Sequence, residues 1–127
     1  MNRERRIPGD IIEAVLCSLG SIVFTSDTPK IHTAFYRVAS HPELKDLFEG
    51  VVFATTDYFP YSPQIDFIFD GLQRFHLLEC WGPDFRRFFV TEKLADSEKW
   101  ATQLFPGEEE RIRCAGKMFH ACLEEED

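Results

Sequence analysis

The chain has 127 residues, of which 44% are hydrophobic and thirteen are phenylalanine, so it has enough apolar material for one folded domain with a core. This composition excludes a wholly disordered chain. The formal net charge of −8 opposes the phosphate contacts on which most nucleic-acid binding depends, so it disfavours a generic nucleic-acid-binding protein.

The cysteines and the apolar runs define the expected compartment. Cys17, Cys80, Cys114 and Cys122 are widely spaced, without the close pairs typical of zinc or redox sites. The uncharged run over residues 14–26 is shorter than the roughly twenty apolar residues that span a membrane, and no small-residue cleavage site follows it. We therefore expect a cytoplasmic protein with free thiols, without a cofactor, a metal or a membrane anchor.

A first helix and a brief strand are predicted near the N-terminus. Residues 1–8 carry three arginines and are expected to form a solvated arm. Asp10 is a suitable N-cap for a helix over about residues 10–20. Residues 21–25 are rich in β-branched side chains and predict a short strand. The inward face of the helix is predicted to comprise Ile11, Ile12, Val15, Leu16 and Leu19.

The second helix is predicted to begin with Thr28 as N-cap and Pro29 at the first helical position. It should end before His41-Pro42, because the residue before proline is disfavoured in the helical region. On this periodicity His32 lies nearer the outside. The predicted buried stripe comprises Ile31, Ala34, Phe35 and Val38. Residues 42–60 predict one or two helical turns at 43–48, a short strand at 51–53 and an aromatic loop at 55–60.

The third helix is predicted to have Ser62 as N-cap, Pro63 at its first position and its end near His76. Its apolar face recurs at spacings of three and four residues and comprises Ile65, Ile68, Phe69, Leu72 and Phe75. Two β-prone runs, 77–80 and 85–90, then flank the turn formers of 81–84, so a hairpin is expected.

Two further helices are predicted at the C-terminal end. Thr91 or Asp96 should cap the first, and Pro106-Gly107 should end it; its side chains include Leu94, Trp100, Ala101 and Leu104. Three glutamates at 108–110 suit the first turn of the last helix, because the helix dipole favours anions there. The last helix has an apolar stripe comprising Ile112, Ala115, Met118, Phe119 and Cys122. This stripe can pack on its own domain or on a second copy, and we favour a homodimer.

This order of helix, strand, helix, connection, helix and hairpin resembles the winged-helix superfamily. The resemblance implies a mainly α fold with a small β-hairpin, in which residues 10–90 form a winged-helix-like core and residues 91–127 a C-terminal helical extension of the same single domain, 1–127. It also implies that residues 62–76 are the recognition helix and residues 77–90 the wing.

Winged helices often bind DNA through the third helix and the wing. On this resemblance the candidate nucleic-acid contacts are Gln73, Arg74, Arg86 and Arg87. Asp66 and Asp70 lie on the same helix and would face phosphates of like sign, so nucleic acid is disfavoured.

The first functional hypothesis is therefore a non-catalytic module for protein interaction or regulation, with a second copy of the chain as the favoured partner. A DNA-binding transcriptional regulator is the alternative. An enzyme is the third possibility, although no nucleophile motif such as G-x-S-x-G occurs.

Overall fold

The structure is a computed structural model that describes residues 9–55, 58–82, 86–96 and 105–124. These residues form a mainly helical fold with small antiparallel sheets. The helices are α1 (Asp10–Ser18), α2 (Thr28–Ser40), a 3₁₀ helix (Lys45–Phe48), α3 (Pro63–Arg74), α4 (Glu92–Ala95) and α5 (Glu109–Glu124). The strands are β1 (Val23–Thr25), β2 (Ala54–Thr55), β3 (Pro60–Tyr61), β4 (Leu78–Trp81) and β5 (Arg87–Val90).

The hairpin predicted after the third helix is confirmed. β4 and β5 pair antiparallel, with Cys80 opposite Phe88, and β1 adds to the other side of β5, with Phe24 opposite Phe88. The resulting sheet has the strand order β1-β5-β4. Residues 83–85 of the predicted turn lie outside the described residues. The first and last described strands, β1 and β5, are therefore neighbours in the sheet. In the sequence, α2 and α3 lie between them.

Phenylalanine rings connect the sheet to the helices in the core. Phe24 of β1 contacts Phe69 of α3 with ring centroids 6.5 Å apart and Phe119 of α5 at 5.8 Å. Phe35 of α2 lies 4.3 Å from Phe119, and Phe88 of β5 lies 5.5 Å from Phe69. Because aromatic side chains bury large areas, these contacts pack β1 against α3 and α5, β5 against α3, and α2 against α5.

The predicted helix ends are confirmed at several positions. α3 begins after Ser62 with Pro63 at its first position, and α2 ends at Ser40, before His41-Pro42. Thr91 caps α4, and its hydroxyl accepts a hydrogen bond from the Leu94 amide at 3.3 Å. Capping residues and proline are local signals, so the sequence alone identifies these ends.

Some predicted boundaries are wrong. α1 has Gly9 rather than Asp10 as its N-cap, since Asp10 is already helical, and α1 ends at Ser18 rather than near residue 20. α2 has Asp27 as its N-cap, one residue before Thr28. The strand expected at 51–53 lies instead at Ala54–Thr55, paired with β3 in a two-stranded sheet. The arm 1–8 and Trp100, Ala101 and Leu104 lie outside the described residues.

Candidate functional site

The exposed face of α3 carries two phenylalanines that the fold does not bury. Phe67 is 72% exposed and Phe75, at the C-cap, is 70% exposed. Gly71 lies midway between them, and a Cβ added there would meet no atom within 4 Å beyond its chain neighbours and the backbone of α3 itself. Residues four apart share one face of a helix, so the three positions form a continuous stripe. We call Phe67, Gly71 and Phe75 the aromatic stripe.

The aromatic stripe corrects the predicted apolar face of α3. Ile65, Phe69 and Leu72 are buried as expected, and Ile68 packs partly buried against the core. Phe75 does not join them: it is the C-cap residue after Arg74, the last residue of α3, and it is 70% exposed. Phe67 falls outside the three- and four-residue spacing of the buried side chains. That departure from the pattern is the sequence signal for an exposed aromatic residue.

Carboxylates lie beside the aromatic stripe. Asp70 pairs with Arg74 one turn later, with 3.1 Å between the carboxylate oxygen and the guanidinium Nε. Asp66 and Asp70 border a cleft of about 300 Å³ between α2 and α3, which also contacts Ile31, Phe69 and Phe88. The exposed side of α3 therefore combines an aromatic face with an acidic flank.

His32 is buried beneath this flank, which contradicts the expectation that it lies nearer the outside; only 1% of its surface is exposed. Its ring stacks on Tyr61, with centroids 4.9 Å apart. The Ser62 amide donates to Nδ1 at 3.1 Å, so the proton of the neutral ring is on Nε2, which donates to Asp66 at 3.1 Å. β3 and the start of α3 cover His32 on α2, a position that helical periodicity alone places nearer the solvent.

The Tyr61 hydroxyl completes this cluster. It donates to the second carboxylate oxygen of Asp66 at 2.7 Å, and this hydrogen bond raises the pKa of Tyr61. Both ring nitrogens of His32 are already bonded, one of them to the backbone amide of Ser62. Neither nitrogen is therefore placed to take a proton from a substrate, and the cluster fixes the start of α3 against α2.

The candidate nucleic-acid contacts are all exposed, but they are not a continuous basic surface. Arg74 pairs with Asp70, and the Gln73 side chain donates to the Phe69 carbonyl at 3.2 Å. Arg86 and Arg87 belong to the hairpin, where Arg87 opposes Trp81 across β4 and β5. The hairpin presents arginines whereas α3 presents carboxylates, so the two elements together do not form one basic surface.

The last helix corrects the predicted interface. Three members of its stripe, Ile112, Ala115 and Phe119, are buried within this chain at 4% exposure or less. Met118 and Cys122 pack partly buried against the same core. Gly116 lies so close to α1 that an added Cβ would overlap the Ser18 hydroxyl. The stripe is therefore used by its own domain, and its buried members Ile112, Ala115 and Phe119 are not available to a second copy.

Polar contacts also hold α5 on its own domain. Arg111 donates to the Glu43 carbonyl at 2.7 Å and pairs with both Asp46 and Glu108. These bonds raise the pKa of Arg111, and the hydrogen bond from Arg111 lowers the pKa of Asp46. They connect the start of α5 to the connection between α2 and α3.

Across the described ranges, no group of three or more His, Cys, Asp or Glu side chains is arranged to hold a metal ion. No disulfide joins Cys17, Cys80, Cys114 or Cys122. In the part of the chain that the structure describes, no helix has the length and apolar character needed to cross a membrane.

Comparison with known proteins gives no match: no family model, no curated protein and no solved structure is similar to the chain.

Proposed function

We propose that this chain is a non-catalytic, winged-helix-like interaction module of the cytoplasm that binds a protein partner through the exposed face of α3. The observation that carries the proposal is the aromatic stripe, in which Phe67 and Phe75 are 72% and 70% exposed on one helix face. Single exposed apolar residues are common, but two phenylalanines exposed on one helix face make a larger apolar patch, and such patches are typical of interaction sites. Covering one phenylalanine contributes about 1.5–3 kcal/mol, so a partner that covers both gains substantial binding free energy.

The sheet topology supports the winged-helix-like part of the proposal. β1 pairs with β5, and α2 and α3 lie between these strands in sequence, followed by the β4–β5 hairpin. In this arrangement α3 takes the place of the recognition helix. The cluster around His32 supports the same assignment, because it fixes the start of α3 through bonds to Ser62 and Asp66 and leaves Phe67 exposed.

A DNA-binding regulator is the second candidate, and the exposed Arg86 and Arg87 of the hairpin favour it. Asp66 and Asp70 oppose it, since they would lie against phosphates or base acceptors if α3 entered a major groove. The net charge of −8 opposes it further. Protein is therefore the better-supported class of partner.

Photo-crosslinking in the source cell tests the proposal. A benzophenone amino acid is placed at Phe67 or Phe75, and at Lys93, an exposed residue of α4, as the control position. We expect discrete protein adducts from positions 67 and 75 and none of the same mass from position 93. Adducts that nuclease digestion removes would support the DNA-binding regulator instead. Equal adducts from all three positions would contradict a specific surface on α3.

A further inference from the structure

The aromatic stripe has a symmetric pattern. Phe67 and Phe75 each lie four residues from Gly71, which corresponds to about 6 Å along the helix axis on either side. Because a Cβ at Gly71 would meet nothing within 4 Å beyond its chain neighbours and its own helix backbone, the middle of the stripe is an open notch between two large rings. Helical spacing sets the two rings about 40° to either side of Gly71, so the rings of a second, antiparallel copy can lie beside them.

We propose that the partner at this face is a second copy of the chain, docked with the two α3 helices antiparallel about a two-fold axis at Gly71. This inference rests on the proposed function and names its partner. In this arrangement Phe67 of one copy packs beside Phe75 of the other at the same height along the helix axis, and the two Gly71 residues face each other. Without side chains at the centre, the helices can reach the short end of the 8–10 Å range for packed helices.

The charges beside the stripe fit the same arrangement. Asp70 and Arg74 both lie on one flank of the stripe and are 63% and 74% exposed. A two-fold axis perpendicular to antiparallel helices keeps this flank on the same side of both copies. Arg74 of one copy then lies about 3 Å along the axis from Asp70 of the other, so two ion pairs can form across the interface. A parallel pair would set this charged flank against the apolar flank of the other copy.

Among the described residues, the last helix does not offer an equivalent site for a second copy. The apolar stripe of α5 is buried in its own domain, with Phe119 fully covered. On α3, by contrast, every contact occurs twice across the two-fold axis: Phe67 with the other copy's Phe75, and Arg74 with the other copy's Asp70. Such self-complementarity is what a closed two-fold interface requires.

Cysteine crosslinking tests the register of the dimer. In a Cys114→Ser background, which removes an exposed thiol, Gly71→Cys should form a disulfide dimer on mild oxidation. Phe67→Cys alone and Phe75→Cys alone should stay uncrosslinked, whereas their mixture should crosslink, because disulfides need Cα atoms within about 7 Å. Self-crosslinking of Phe67→Cys with none for Gly71→Cys would overturn the antiparallel arrangement.

Sedimentation equilibrium tests whether the dimer exists without oxidation. We expect dimer formation at tens of micromolar, and Gly71→Gln should raise the dissociation constant roughly tenfold or more, since the change occurs twice in the interface. The open space at Gly71 leaves the protomer fold intact, which circular dichroism would verify. A monomer at these concentrations, together with no Gly71→Cys crosslink, overturns the inference. Photo-adducts of another protein at position 67 would then still support the proposed interaction module.

Discussion

Replacement of His32 by phenylalanine tests the cluster that fixes the start of α3. Phenylalanine keeps a ring in place to stack on Tyr61, so the change isolates the hydrogen bonds. It removes the acceptor of the Ser62 amide, and Ser62 is fully buried, so that N–H has no water to replace the lost bond. A buried donor left without a partner costs about 1–3 kcal/mol. Asp66, half exposed, can replace its lost donor with water at little further cost.

Urea unfolding followed by far-ultraviolet circular dichroism measures this loss. We expect His32→Phe to lower the free energy of unfolding by about 1–3 kcal/mol. Asp66→Asn is the matched control, because it keeps an acceptor for Nε2 on an exposed side chain, and it should cost under about 1 kcal/mol. The reasoning is refuted if His32→Phe is as stable as the wild type, or if the Asp66 variant loses as much stability.

Three further results are expected. Leu72→Ala should lower the free energy of unfolding by about 2–5 kcal/mol, because it leaves a cavity at a side chain that is 4% exposed; a loss near zero would contradict that packing. Burial and then repulsion from Asp10 raise the pKa of Glu13, so its stabilising contribution is present below about pH 4.3 and is lost as the pH rises through the raised value. Glu13→Gln should therefore be more stable than the wild type at pH 7, with a difference that disappears in thermal melts near pH 4; a difference independent of pH would be contrary evidence. Duplex DNA should show no fluorescence-anisotropy binding at micromolar protein near physiological salt, whereas salt-sensitive binding that weakens in an Arg86→Ala, Arg87→Ala variant would support the alternative function.

Local signals allowed the sequence to predict much of the fold. Pro63 suits a first helical position through its fixed backbone, and Thr91 caps α4 through its side chain; the β4–β5 hairpin follows from two β-prone runs around turn formers. The buried side chains of α3 were also predicted, since Ile65, Phe69 and Leu72 recur at helical spacing. These features depend on residues within one turn or one hairpin of each other.

The burial of side chains around the candidate site depends on contacts between distant parts of the sequence, which helical periodicity does not predict. His32 is buried because Tyr61 and Ser62, about thirty residues later, pack on it. Periodicity predicted that the stripe of α5 is apolar, but it does not distinguish whether Phe119 packs on the same chain or on a second copy. Only the tertiary contacts with Phe24 and Phe35 decide this. Phe75 was misassigned because a residue at the edge of an apolar face is buried only when another element covers it.

The accessibility of Phe67 inside the cell shows most directly whether a protein partner covers α3. In the Cys114→Ser background, Phe67→Cys is labelled with N-ethylmaleimide in intact cells and as dilute purified protein, with Lys93→Cys as the control. If a protein covers α3, the labelling rate at position 67 should be several times slower in cells than in dilute protein. Nuclease treatment should not raise the slower rate. The labelling rate at position 93 should be the same in cells and in dilute protein. Equal labelling rates at position 67 in cells and in dilution would contradict the account.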